Sequence, residues 1–380
     1  MKIKTFPVLL AFLVMGIADA MGPMASAVEK NYEVSAVVAT LLTFFVFIAF
    51  AVFSVPGGTF AARIGKKNLL LVGLGLNIIA MAVPTFVDPG FILLLVCIFL
   101  LGIGTTFLQV AGNPLMRDVS DKGKYSKNLA LAQGIKGLGS AGSSYLVGLV
   151  LVLPIFVTMG WRGVFPVFLL LMLLAFLFVA FLKVEETKAD VTPSIVSSIK
   201  LLKEPVFALA VIGIFLYVGS EVSMARFLKP SLESFSFASD RAALLGPTFF
   251  FGALTLGRLI GGSINIKAQT FFRISAALGL AGVLLVLTGS NYLTLAGILI
   301  SGLGFANIWP MLFAITIEEK PERASELSGL MVMAISGGAI VPLIMGVIVD
   351  KGMLNYAYAV PAICFIYLFV LSMKRKRIIA

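Results

Sequence analysis

Several side chains of this chain carry charge or hydrogen-bonding capacity where their neighbours are almost wholly apolar. Asp19 lies in the stretch 5–28, Lys136 in 127–153, Glu221 and Arg226 in 205–230, and Arg258 in 240–263. A lone charge at such a place is costly unless it is paired, hydrated or neutralised by a proton. Burial raises the pKa of a carboxylate and a nearby cation lowers it. Protonation of Asp19 would therefore respond to a change in its surroundings, which is the chemistry of proton coupling. The alternative is an ion pair that only locks helices together. Lys136 is the candidate cation, three residues after Gln133 on one helical face. It could pair with Asp19, bind an anionic group of a substrate, or reach ~13 Å along its helix to the surface. Glu221, in Tyr217-Val218-Gly219-Ser220-Glu221-Val222-Ser223, is the second candidate for proton coupling. Its alternative is a hydrogen bond that closes a gate. Gly219 and the two serines predict a softened or broken helix there. Arg226, at i+5, does not share a face with Glu221.

Uncharged amides form the second group. Gln109 and Asn113 are four apart, on one helical face, in Gln109-Val110-Ala111-Gly112-Asn113-Pro114. Asn307-Ile308-Trp309-Pro310 offers an amide beside a flat aromatic ring. Amides both donate and accept, which suits sugar hydroxyls, and an indole presents an apolar face to a sugar ring. Pro114 and Pro310 each remove a backbone donor and free a carbonyl one turn earlier. Gln109, Asn113, Gln133, Lys136, Asn307 and Trp309 are the candidate substrate contacts.

The elements that must position these groups are membrane helices. Of 380 residues, 60% are hydrophobic and 12% charged, about half the charge of a soluble protein. A spanning helix needs ~20 apolar residues. That length predicts twelve: 5–28, 35–61, 68–87, 91–116, 127–153, 161–183, 205–230, 240–263, 269–288, 291–317, 325–349 and 354–373. The first has no convincing cleavage site and is expected to be retained. The polar stretch from Lys183 to Glu204 divides them six and six. The expected organisation is an amino-terminal bundle 1–183, a linker 184–204 and a carboxy-terminal bundle 205–380. With the amino terminus inside, 21 lysines and arginines fall in inner segments and 5 in outer ones. The positive-inside rule thus predicts both termini cytoplasmic. The net charge of +11 is spread in short clusters between apolar runs, a topology signal and not a nucleic-acid surface. There is no histidine, and Cys97 and Cys364 lie in apolar runs, so neither a zinc site nor a disulfide framework is expected. No nucleophile–base pair or phosphate loop can be assembled, so the chain is not expected to be an enzyme.

Two six-helix bundles joined by a cytoplasmic linker resemble the major facilitator superfamily. Gly58-x-x-x-Ala62-Arg63-x-Gly65-Lys66-Lys67 is similar to its loop signature between helices 2 and 3, with Ala62 where aspartate is usual. That resemblance implies a weaker loop contact in one closed state. Arg63, Arg226, Arg258, Pro114 and Pro310 are the candidate gating or structural residues. The glycines Gly134, Gly137, Gly139 and Gly142 suit close helix packing. Gln109-x-Ala111-Gly112-Asn113-Pro114, Asp19 followed by Pro23, Leu131-Ala132-Gln133, the stretch Tyr217–Ser223, Asn307–Pro310 and Ser336–Pro342 resemble the fucose–galactose–glucose:proton symporter family. The resemblance implies an all-α transporter of the bacterial cytoplasmic (inner) membrane, monomeric and without a cofactor. A proton gradient would drive monosaccharide uptake by alternating access. Fucose carriers of that family have glutamate at the place of Gln109, which leaves Asp19 as the acid in the amino-terminal bundle core. Lys136 is unusual there, and suggests as the alternative a symporter of a sugar acid or other organic anion.

Overall fold

The computed structural model describes residues 4–39, 41–150, 153, 156, 159–187 and 193–378. The end of the fifth expected run (151–152), the middle of the linker (188–192) and the side chains of Pro23 and of the basic carboxy terminus lie outside the described residues.

Every regular element among the described residues is helical. α1 runs through Thr5–Met15, a 3₁₀ stretch Gly16–Ala20 and Met21–Tyr32. There follow α2 (Leu41–Ile64), α3 (Lys66–Phe86), α4 (Phe91–Val119), α5 (Tyr125–Leu149) and α6 (Val164–Ala180). After the linker come α7 (Pro205–Ser234), α8 (Arg241–Gly261) and α9 (Ala268–Leu287). α10 is Asn291–Phe305 and Ile308–Glu319, α11 is Ala324–Met333 and Gly337–Asp350, and α12 is Leu354–Met373. Ten of these are long and apolar enough to cross a membrane. The other two are α1, interrupted by its 3₁₀ stretch, and α5, diluted by glycines, serines and amides.

The helix ends follow local chemistry. α1 stops at Glu33 in the left-handed region (φ 53°), α3 starts after Gly65 at φ 95°, and α7 starts with Pro205 in its first turn, where its missing N–H costs nothing. Large apolar side chains on the outside, such as Phe86, Ile92 and Phe181, are 78%, 71% and 82% exposed. Unpartnered apolar surface on this scale suits lipid and not water.

The helices pack into two compact units, Met1–Lys122 with Ile135–Ser198 and Pro321–Met333, and Gly123–Gly134 with Ile199–Lys320 and Ala334–Ala380. The first unit buries Phe12, Phe165 and Phe168. The second is centred on Phe250, Phe305 and Phe365, whose Phe305–Phe365 rings stack at 4.1 Å.

One local expectation is corrected. α7 is continuous through Gly219 and its serines. Ser220 returns its hydroxyl to the Leu216 carbonyl at 2.9 Å. Gly219 serves packing: a Cβ there would stand 2.5 Å from Val341 Cβ of α11. The softened segment lies instead in α11, as the 3₁₀ turn Ala334–Ser336 before Gly337.

Candidate functional site

In the first unit, Asp19 sits on the 3₁₀ stretch that interrupts α1. Its carboxylate is exposed and accepts a hydrogen bond from Ser140 Oγ of α5 at 2.5 Å. Ser143 Oγ donates to the Gly16 carbonyl at 3.2 Å. Polar groups of α5 thus hold the irregular turn of α1. This seat depends on small residues. A Cβ at Gly139 would stand 3.0 Å from the Leu13 carbonyl carbon, against backbone that cannot yield. We expect Gly139→Ala to destabilise the protein by about 1–3 kcal/mol through overpacking. Gly142→Ala, on the same helix but with open space around it, should be neutral or slightly stabilising. Thermal unfolding in detergent checks the pair, and equal shifts for both would contradict the packing argument.

Gln109 and Asn113 are buried on α4. Lys136 Nζ donates to Gln109 Oε1 at 3.4 Å. Among the described residues no ion pair joins Lys136 to Asp19. Each instead has its own partner, Gln109 and Ser140. With Gln109 Oε1 occupied, its amide nitrogen is the atom left for another acceptor. Pro114 frees the Val110 carbonyl four residues earlier, and Ser328 Oγ of α11 donates to that oxygen at 2.7 Å.

The second unit repeats the device. α10 breaks between Phe305 and Ile308, where Pro310 leaves the Ala306 carbonyl without its helical donor. Arg258 Nε of α8 supplies one at 3.2 Å. In exchange, Asn307 Nδ2 donates to the Gly257 carbonyl at 2.9 Å. Arg258 Nη2 also donates to Tyr217 Oη at 3.2 Å and lies 3.8 Å from Glu221 Oε2. Trp309 is buried and stacks on Phe313, with ring centroids 5.7 Å apart. Trp309 Nε1 and Asn307 Oδ1 are buried with no hydrogen-bond partner among the described residues. Gln133 is buried in the segment of α5 that belongs to this unit. Arg226 is exposed, 5.6 Å from the Phe227 ring, apart from these groups.

The loop after α2 is tied to the linker. Arg63 Nε and Nη2 donate to the Pro193 carbonyl at 3.1 and 2.8 Å. Glu186 accepts from the backbone N–H groups of Lys66 and Lys67 at 2.5 and 2.9 Å, a carboxylate capping the start of α3. Lys66 Nζ meets Asp118 at 2.5 Å. Glu326 of α11, 1% exposed, pairs with Arg323 and accepts from Ser197 and Ser198 Oγ at 2.7 and 3.0 Å. Ala62 itself brings no charge. A cavity of about 460 Å³ beside this loop is lined by Arg63, Lys66, Glu186 and Glu322 among others. It contains neither Asp19 nor any of the amides, and its mixed charges suit no single class of ligand.

Sequence reasoning missed Ser140, Ser328, Asp118, Glu186 and Glu326. Pro114 signals that the Val110 carbonyl needs a donor, yet not which helix provides it. Asp118 and Glu326 lie at helix ends and Glu186 lies in the linker, where charge is unremarkable.

The Major Facilitator Superfamily model matches residues 8–342. The glucose/galactose transporter of Brucella abortus biovar 1 (strain 9-941) is 30% identical over 359 residues, covering 90% of this chain and 85% of that protein. The L-fucose-proton symporter of Haemophilus influenzae is 21% identical, covering 97% of this chain and 95% of that protein. Among solved structures, the fold is similar to that of the E. coli fucose:proton symporter, with a TM-score of 0.84, 18% identity and 98% of both chains covered. The chain therefore belongs to the major facilitator superfamily and, within it, to the fucose–galactose–glucose:proton symporter family.

Proposed function

We propose that the chain is a proton-coupled monosaccharide symporter of the bacterial inner membrane that works by alternating access. The observation that carries the reading is the carboxylate of Asp19. It is exposed on an irregular turn of the largely apolar α1, held by one hydroxyl, and no ion pair fixes it among the described residues. A carboxylate so placed is accessible, and its hydrogen bond to Ser140 ties it to the turn and to α5. The relatives named for glucose/galactose and fucose–proton transport support the substrate class.

In this reading helices α1–α6 and α7–α12 form the two bundles, with both termini cytoplasmic as the lysine and arginine distribution favours. Gln109, Asn113 and Gln133 present amides to sugar hydroxyls. Asn307 and Trp309 bring an acceptor, a donor and an aromatic face. The proton gradient is the driving force, with no cofactor, and the transporter acts as a monomer.

Lys136 separates this reading from transport of an organic anion. Its ammonium is hydrogen-bonded to Gln109, which makes it an orienting group for that amide. We expect Lys136→Ala to weaken hexose uptake, raising KM by about 10–150-fold, as loss of one charged hydrogen bond would. Neutral hexoses should remain better substrates than sugar acids. Uptake of both classes into proteoliposomes, with and without an inward proton gradient, makes the test. If Lys136→Ala abolished transport of an acid and spared neutral sugars, the anion reading would replace this one.

A further inference from the structure

The buried charges of the second unit are not used by a mechanism that couples protons at Asp19. Arg258 and Glu221 have side chains only 11% and 18% exposed, so they are costly to keep without a task. What Arg258 touches is the break in α10, and Glu221 lies behind it. The guanidinium spends Nε on the Ala306 carbonyl and Nη2 on Tyr217 Oη, with Glu221 behind Nη2. The neighbouring Gly257 carbonyl takes the amide of Asn307. Two consecutive residues of α8 thus hold two consecutive residues of the break. The next turn carries Trp309, whose Nε1, like Asn307 Oδ1, is buried and unpartnered among the described residues. A shift of the break would move both atoms together.

We infer that Arg258 is a positioning residue for the substrate-binding turn of α10, and that Glu221 is its counter-ion and not a second proton carrier. The planar guanidinium suits this task. It reaches a carbonyl, a phenol oxygen and a carboxylate from one rigid fork, whereas an ammonium is a single point donor. Glu221 balances the buried cation and keeps it aimed. Asp19 is then left as the carboxylate that exchanges the proton.

The chain has two tryptophans, so Trp161→Phe leaves Trp309 as the only reporter. In that background Arg258→Met should increase acrylamide quenching of Trp309 at least about two-fold, and Arg258→Lys should shift it in the same direction. Hexose KM should rise about ten-fold or more in Arg258→Met with kcat nearly unchanged, the pattern of lost binding geometry. Glu221→Gln should raise KM by a smaller factor and keep the pH profile and gradient-driven accumulation. Added to Arg258→Met, it should cost less than it does alone, because it acts mainly through the guanidinium. If Arg258→Met does not fold, Arg258→Lys and Glu221→Gln carry the same comparisons. Unchanged quenching and KM in the arginine variants would overturn the inference. So would a Glu221→Gln transporter that exchanges sugar but no longer accumulates it. The transport readouts rest on the proposed sugar symport. Trp309 quenching does not, so a wild-type protein that carries no hexose would sink that proposal and leave the positioning role to be decided by fluorescence.

Discussion

Proteoliposomes containing Asp19→Asn should exchange labelled for unlabelled hexose across the membrane, yet fail to accumulate hexose when an inward proton gradient is imposed. The amide keeps the size of the carboxylate and can still meet Ser140, which now donates to Oδ1 as it did to the carboxylate. The 3₁₀ turn Gly16–Ala20 and its docking on α5 should therefore survive. What is removed is the ability to gain and lose a proton. Exchange needs only the loaded carrier to reorient, whereas accumulation needs proton binding to be linked to sugar binding. The expected loss of accumulation is complete and the expected change in exchange is small. If Asp19→Asn lost sugar binding as well, Asp19 would be a substrate ligand. If accumulation were retained, coupling would lie elsewhere. Ser140→Ala offers an internal check: the acid remains, so accumulation should persist.

The largest expected effect on stability lies at the loop between α2 and α3. Lys66 and Asp118 are paired at 2.5 Å with side chains 3% and 1% exposed. Thr187 donates its hydroxyl to the other carboxylate oxygen at 2.8 Å, and Lys66 Nζ also reaches the Thr187 carbonyl at 3.1 Å. The pair joins α3, α4 and the linker at one point. Asp118→Leu leaves the ammonium buried without its counter-ion, which should cost about 3–5 kcal/mol. Replacing both partners, Lys66→Met with Asp118→Leu, should recover most of that loss, because two apolar groups of similar volume restore packing without a stranded charge. Thermal unfolding in detergent distinguishes the cases. A single variant as stable as the wild type would mean that water already screens the pair.

Much of this site can be read from the sequence because polarity inside an apolar run stands out. Asp19, Gln109 and Asn113 are visible for that reason, and the i, i+4 spacing places the two amides together. The break in α10 is visible through Pro310, since proline removes a donor whatever surrounds it. The donors that compensate are not visible in this way. Ser328 reaches the Val110 carbonyl, freed by Pro114, from 218 residues away, and nothing in the periodicity of α11 marks that serine. Gly219 shows a different limit. A glycine among serines fits a broken helix and a tight helix contact equally well, and the decision belongs to Val341 of α11. The role of Glu326 is hidden for a third reason. A charge at a helix end is what any membrane protein places there, so its burial and its pairing with linker serines emerge only once the chain is folded. The two helices that meet at Asp19 and Ser140 are the least regular spans: α1 is apolar but cut by its 3₁₀ stretch, and α5 is diluted by small and polar residues.

Coupling of sugar uptake to protons is what would make this transporter a symporter. The most direct measurement is hexose uptake by the wild-type protein in proteoliposomes, followed with an inward proton gradient and again after the gradient is collapsed. Glucose or galactose should rise above its external concentration only while the gradient lasts, with protons entering alongside it. Uptake that proceeds equally with and without the gradient, and never exceeds equilibration, would contradict proton coupling.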